Sequence, residues 1–378
     1  MSGFFLSPRI AWGTGALEQL SGLGVRRAVL LVDPAVARLD GARRLVEELA
    51  KCDASVDVET ASDRANSLDE VDRVVERYRD HPPDALVALG GGRTIDAAKA
   101  VRLRWAHPEL SLADLPPIWD PPPAPGVLLV AVPTTSGSGA EAAWSADLRT
   151  ADGSPVEIAH RSLIPDWALV DPALAAGLAP AALMDGAFEA LALAAEAFLS
   201  AWANPLSDAL AVDAATTIMH RLPHAVRWSD DPDARAALHY AATSAGLAAS
   251  NAQRGLAHAL ARALEVPTGV GYARLLGLTL PYVLEFDHPS ARDRLETLAD
   301  RAREHDERGD VGLAPRLRRL YGQLPFPLTV RAAGGSVARA ETDRAAIVAR
   351  TLRSPGALAN PRVPSEADLG MLVTAILG

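Results

Sequence analysis

The sequence predicts an α/β N-terminal dinucleotide-binding domain with a Rossmann-like parallel sheet over residues 1–173, followed by an all-α C-terminal helical bundle over residues 174–378. Three observations predict it. Apolar runs in the first half are continuous rather than alternating, as strands covered on both faces of a parallel sheet must be. Segments of helical spacing separate those runs. After Val170–Pro180 the strand signals stop and long Ala/Leu-rich stretches take over, residues that favour helix.

In chain order, Arg26–Pro34 is an apolar run that ends at Asp33, and Arg38–Cys52 has amphipathic helical spacing. Asp69–His81 is a second helix, and Asp84–Gly92 is a buried strand stopped by three glycines. Helical spacing resumes over Thr94–Ala106, and Gly126–Glu141 is another strand that runs into a loop of small residues. The proline-rich Pro116–Gly126 stretch is expected to form a stiff surface loop. In the second half, helices are expected over Ala181–Trp202, Pro205–Arg221, Asp233–Asn251, Gly255–Leu264 and Arg274–Phe286.

The chain has 378 residues, 49% hydrophobic and 22% charged, enough for two packed domains and unlike a disordered chain. A formal net charge of −10 disfavours nucleic acid and anionic membranes as partners. The sequence has neither a bilayer-length apolar run nor a basic, apolar leader, so a cytoplasmic protein is expected. Cys52 is the lone cysteine, which excludes an internal disulfide and a thiolate metal cluster. Only Lys51 and Lys99 are lysines among 37 basic residues.

Glycines after a buried strand let a backbone approach a ligand, and the helix that follows offers amide donors at its positive end. Gly90, Gly91 and Gly92 are such a set, with Arg93 and Asp96 just beyond, and Thr134, Thr135 and Ser138 form a second turn after another strand. Asp33 at a strand end is placed to bind ribose hydroxyls and to repel a 2′-phosphate, which makes NAD the expected cofactor. Its alternative role is that of a turn or N-cap residue before Pro34.

Trp12–Leu17, Gly90–Lys99, Pro133–Glu141, Leu163–Leu174, Asn204–Ala209 and Ser244–His258 together resemble the iron-containing (group III) alcohol dehydrogenase superfamily, which shares the dehydroquinate synthase-like fold. Leu23–Pro34, Asp233–Gly246 and the C-terminal Ala359–Gly378 look most like its maleylacetate reductase branch. The resemblance covers nearly the whole chain. It implies a nucleotide domain, a helical domain, a substrate cleft between them and a dimer or larger assembly, of which a homodimer is expected.

Metal-dependent members of that superfamily hold a divalent ion with an Asp and a His four residues apart and two later histidines. Here Glu189 stands at the Asp position, Leu193 at the first His, His258 at the third ligand and Tyr272 at the fourth, while Arg262 replaces a nearby active-site His. An apolar Leu and a guanidinium oppose a dication, so no catalytic metal is expected. The expected catalytic set is His258, Tyr272, Arg262 and Glu189: His258 and Tyr272 handle protons, and Arg262, with Arg274 as a second candidate, binds a substrate carboxylate. The expected activity is NAD-dependent oxidation of a carboxylate-bearing hydroxy substrate, a small molecule or a peptide. It extends to oxidative decarboxylation of a β-hydroxy acid such as the C-terminal Thr of a natural-product precursor peptide. The alternatives are a maleylacetate-reductase-like reductase and an inactive homologue that only binds the cofactor.

Overall fold

The computed structural model describes residues 5–38, 40–51, 53–62, 64–115, 126–303 and 312–378. Cys52 and, apart from Gly126, the expected Pro116–Gly126 loop lie outside the described residues, as do the first four residues of the N-terminal segment. The chain forms two compact units. One runs to Thr135 and is taken up again over Gly139–Gly177; the other joins Ser136–Ser138 to Leu178–Gly378.

The first unit contains β1 (Arg9–Trp12), β2 (Arg27–Val32), β3 (Ser55–Thr60), β4 (Ala85–Gly90), β5 (Leu128–Pro133), β6 (Ser145–Arg149), β7 (Pro155–Ala159) and β8 (Trp167–Val170). Six strands make a parallel sheet in the order β1-β8-β5-β4-β2-β3, and β6 and β7 form a separate antiparallel hairpin. Helices α1 (Asp40–Ala50), α2 (Leu68–Arg77) and α3 (Gly92–Ala106) connect the strands. Alternate residues of β2, β4 and β5 feed two cores. Val29, Leu31, Leu86, Ala88, Leu129 and Ala131 pack with the buried residues of α2 and α3. Ala28, Leu30, Val87, Leu89, Val130 and Val132 pack with α1 and the Ala16–Val25 stretch. Burial on both faces is the reason these strands read as unbroken apolar runs. Edge strand β3, Ser-Val-Asp-Val-Glu-Thr, is mostly exposed and polar, so that pattern does not mark it.

The second unit contains α4 (Pro180–Leu199), α5 (Pro205–Arg227), α6 (Pro232–Ala252), α7 (Leu256–Thr268), α8 (Tyr272–Arg301), α9 (Leu313–Gly322), α10 (Val337–Thr342), α11 (Arg344–Leu352), α12 (Pro355–Ala359) and α13 (Glu366–Leu377). Prolines at the first position of α4, α5 and α6 start these helices where a missing N–H costs nothing. Asn204 closes a capping box with Ser207 at α5. Fifteen residues of α4 are buried, the signature of a helix surrounded by others. Phe188 on α4 stacks on Tyr321 and touches Phe326, with centroids 4.5 and 4.4 Å away. Helices α5 and α7 continue past the ends expected from the sequence, through Pro223 and Pro267, because packing outweighs the single backbone bond a proline removes.

One buried acid in this unit titrates in an unusual range. Asp287 on α8 is 1% exposed and accepts a hydrogen bond from Asn360 Nδ2 at 2.5 Å, and burial pushes its carboxyl up to about 8. The folded state therefore holds this proton more tightly than the unfolded chain, whose Asp titrates at about 3.9. The stability it confers is fully present below that value and is lost as pH rises toward 8. Urea midpoints measured from pH 5 to 8 are expected to fall less steeply for Asp287→Asn than for the parent; equal slopes would refute this.

Candidate active site

In the α/β unit the cofactor candidates gather where β2, β4 and β5 end. The Asp33 amide donates to Leu89 O at 2.9 Å and the Thr134 amide to Gly90 O at 3.0 Å, so the three strand ends are stitched side by side. Strand order reverses direction between β2 and β4, which opens a ligand crevice beyond their C-terminal ends. One oxygen of Asp33 accepts the Ala35 amide at 2.9 Å, the turn-capping role, and the other faces Thr94 Oγ1 at 3.5 Å. A Cβ on Gly90 would lie 2.7 Å from Thr94 Oγ1 and 2.8 Å from Asp33 Cβ, and one on Gly91 would lie 3.1 Å from Thr135 Cγ2. The glycines therefore allow the strand ends to close on one another. Gly92 and exposed Arg93 open the first turn of α3, with Gly91 as its N-cap. Thr134 is buried, and Thr135 and Ser138 are half-buried.

Asp96, a cofactor candidate in the sequence, points instead at the hairpin. Its carboxylate accepts the Asp147 amide at 3.0 Å and Lys99 Nζ at 3.2 Å, and Lys99 also donates to Ser145 O at 2.7 Å. Lys99 is fully buried. Burial lowers the Lys99 pKa and raises that of Asp96, while each holds the other in its charged form. Two further motifs serve the backbone. Buried Asp171 accepts the Gly15 amide at 3.2 Å and the Ala173 amide at 3.0 Å, which joins the turn after β1 to the turn after β8. Gly13 and Gly15 have φ of 102° and 92°, a region that favours glycine.

In the helical unit, α4 places Glu189, Leu193 and Glu196 along one face at spacings of four and three residues. The Ser136–Ser138 segment lies against the start of that face: a Cβ on Gly137 would meet Gly186 Cα at 2.7 Å and Glu189 Oε2 at 3.0 Å. Ser136 Oγ is 3.1 Å from Nδ1 of buried His239. Further along α4, Glu196 is 4% exposed and contacts His258 Nδ1. The His258 ring meets Tyr272 edge-on, centroids 6.1 Å apart at 67°, and the Arg262 guanidinium lies over Tyr272 at 5.8 Å. Three of the four expected catalytic residues, His258, Arg262 and Tyr272, thus form one cluster. Arg274 does not serve as the second carboxylate binder, because its fork is filled: Nε and Nη2 each donate to Asp185 at 2.9 Å.

Thr94, His239 and Glu196 were missed in the sequence. Glu196 carried a signal, seven residues beyond Glu189 on the same helical face.

Residues 7–172 match the family model for iron-containing alcohol dehydrogenase, and residues 183–377 match that for the C-terminal part of the Fe-containing alcohol dehydrogenase family. The chain belongs to the iron-containing alcohol dehydrogenase family. An alcohol dehydrogenase of Thermococcus barophilus is 32% identical over 310 residues, 79% of this chain and 80% of that protein. Sulfoacetaldehyde reductase from Bifidobacterium kashiwanohense, solved in complex with NAD+, superposes with a TM-score of 0.87 at 23% identity over 100% of this chain and 99% of its own. Maleylacetate reductase from Agrobacterium tumefaciens does so with a TM-score of 0.81 at 22% identity, with the same coverage.

The family's name implies iron, and the residues present do not fit it. Of the four positions that resemble the metal-holding set, Leu193 is an isobutyl group 4% exposed, Tyr272 is a phenol under a guanidinium, and His258 has Nδ1 engaged by Glu196. Glu189 and one imidazole nitrogen are too few donors for a divalent ion. Among the described residues no three His, Cys, Asp or Glu side chains form a group that could hold one. The nucleotide crevice does fit a dinucleotide: it combines a helix N-terminus, glycines at the strand ends and a half-buried carboxylate at the β2 end. No helix among the described residues is long and apolar enough to cross a membrane.

Proposed function

We propose that this chain is an NAD-dependent oxidoreductase that oxidises the hydroxyl-bearing carbon of a carboxylate-bearing substrate without a catalytic metal. The observation that carries the reading is the His258–Tyr272–Arg262 cluster, two of whose members stand at positions that resemble the family's metal-holding set. Asp33 would hold the ribose diol and oppose a 2′-phosphate, the α3 N-terminus would take the pyrophosphate, and Thr134, Thr135 and Ser138 would line the same loop. A neighbour of this fold solved with NAD+ supports the choice of cofactor. Bound NAD+ supplies the hydride acceptor.

The protein's own groups supply the rest. His258 takes the hydroxyl proton, Tyr272 holds the oxygen by a hydrogen bond, and Arg262 pairs with the carboxylate in a bidentate fork. With a β-hydroxy acid the product is a β-keto acid. Breaking its bond between the α-carbon and the carboxylate releases CO₂ and leaves the electron pair in an enolate, which takes a proton back from the same pair. The C-terminal Thr of a peptide is such a substrate. A second reading, reduction of an unsaturated keto diacid, draws on the same guanidinium.

Arg262→Ala is expected to raise KM for a β-hydroxy acid by about 10–100-fold and to leave KM for the matching alcohol without a carboxylate unchanged, both followed by NADH formation. An unchanged acid KM would remove the carboxylate role. Stoichiometric zinc or iron with chelator-sensitive turnover would overturn metal independence, and absence of NAD+ binding would leave an inactive homologue. Turnover only with NADH and an unsaturated keto diacid would favour the second reading. We also propose a homodimer: β1 is an edge strand whose Trp12 is 73% exposed, and sedimentation equilibrium tests it.

A further inference from the structure

We infer that Glu196 is the positioning carboxylate that fixes which nitrogen of His258 carries the proton. The side chain is buried at the start of α7 and is surrounded by donors. One oxygen accepts the amides of Ala257 and His258, and the other accepts the Gly255 amide at 2.9 Å and contacts His258 Nδ1. An ionised carboxylate only accepts, and offers about four lone-pair sites. Three of them face backbone N–H groups, whose protons cannot move. The fourth contact is therefore a donation from His258 Nδ1–H, which leaves the lone pair of a neutral imidazole on Nε2. The positive end of α7 favours the anion at this place.

The surroundings are built around that carboxylate. A Cβ on Gly255 would lie 2.9 Å from Glu196 Oε1 and 3.0 Å from its Cδ, so this position admits only glycine while Glu196 is in place. A Cβ on Gly356, in α12, would lie 2.4 Å from Gly255 O, so a second glycine lets α12 close over the same turn. The remaining first-turn amide, that of Leu256, donates to Asn360 Oδ1 at 3.2 Å. The turn into α7 holds Gln253 at φ 75° and ψ 148°, a strained conformation that persists only where neighbours enforce it. Every one of these features serves to hold the α7 first turn, and with it His258, against Glu196.

This inference rests on the reading of His258 as the proton acceptor, and its test separates the two. Glu196→Gln keeps shape and volume and can still accept the Ala257 and His258 amides through its carbonyl oxygen, giving up only the Gly255 amide. Its NH₂ group facing Nδ1 turns that nitrogen into an acceptor and moves the proton to Nε2, which then cannot accept one. The expected result is a fall in kcat of about 10²–10⁴-fold, with KM and the NAD+ Kd within about twofold of the parent by the same reasoning. Nitrogen NMR of ring-labelled histidine at pH 8 reads the tautomer directly. The His258 signal among nine histidines is assigned by its loss in His258→Asn. The parent is expected to show Nδ1–H and the variant Nε2–H.

An Nε2–H tautomer in the parent overturns the inference, as does parent-like turnover of Glu196→Gln. The parent spectrum needs no variant of Glu196, so a misfolded Gln protein does not block the test. If His258→Asn itself keeps full kcat, the proposed proton acceptor is wrong, while the parent spectrum still decides the role of Glu196.

Discussion

His258→Asn is expected to lower kcat for hydroxy-acid oxidation by about 10²–10⁴-fold, the range associated with loss of one general acid–base group. Asparagine places an N–H close to where Nδ1 sits, so the buried Glu196 keeps a donor and only the Nε2 function disappears. The NAD+ Kd is expected to stay within about twofold, because the groups assigned to the nucleotide, Ser138 apart, belong to the α/β unit. Steady-state kinetics and a cofactor titration check both halves. A tenfold weaker NAD+ affinity with unchanged kcat would assign His258 to cofactor binding instead.

Lys99→Met is expected to destabilise the α/β unit by about 3–5 kcal/mol, the range for removing one partner of a buried ion pair. The substitution leaves the Asp96 carboxylate with the Asp147 amide alone and removes the donor to Ser145 O. Because burial already raises the Asp96 pKa, part of the loss is relieved by protonation, so the effect grows as pH rises from 5 to 8. Pairing it with Asp96→Asn removes the orphaned charge and restores a portion. Urea unfolding at the two pH values measures this; a loss below about 1 kcal/mol at pH 8 would mean that the pair is not what anchors the hairpin.

The central strands and the long helices were legible in the sequence because each rests on a repeating pattern. β2, β4 and β5 are buried on both faces and read as apolar runs, and α4 through α8 are long and rich in Ala and Leu. Strands β1 and β8 have four residues each and β3 is an exposed edge, too short or too polar for periodicity to register. In the site, Asp33, Gly90, Gly91, His258, Arg262 and Tyr272 could be named because each is a residue type with a chemical role at a motif position. Which partners they meet could not. Asp96 and Lys99 look alike in sequence whether they face a phosphate or a hairpin, and Arg274 looks like a free guanidinium until Asp185 is found beside it. Glu196 was hidden for the same reason: its partners lie about 60 residues away, at Gly255 to His258.

The pairing of β1 with β8, sealed by the bond from Gly15 to Asp171 across 156 residues, sets an order of events at the ribosome. Strand β1 has no neighbour until residues near 170 emerge, about 8–30 s later at ordinary rates of synthesis. During that wait β2, β4 and β5 can assemble while Arg9–Trp12, with its terminal tryptophan, stays available to chaperones or to another nascent copy. A ribosome-stalled chain ending at residue 165 should therefore lose its N-terminal segment to limited proteolysis, and one long enough to expose Asp171 outside the exit tunnel should keep it.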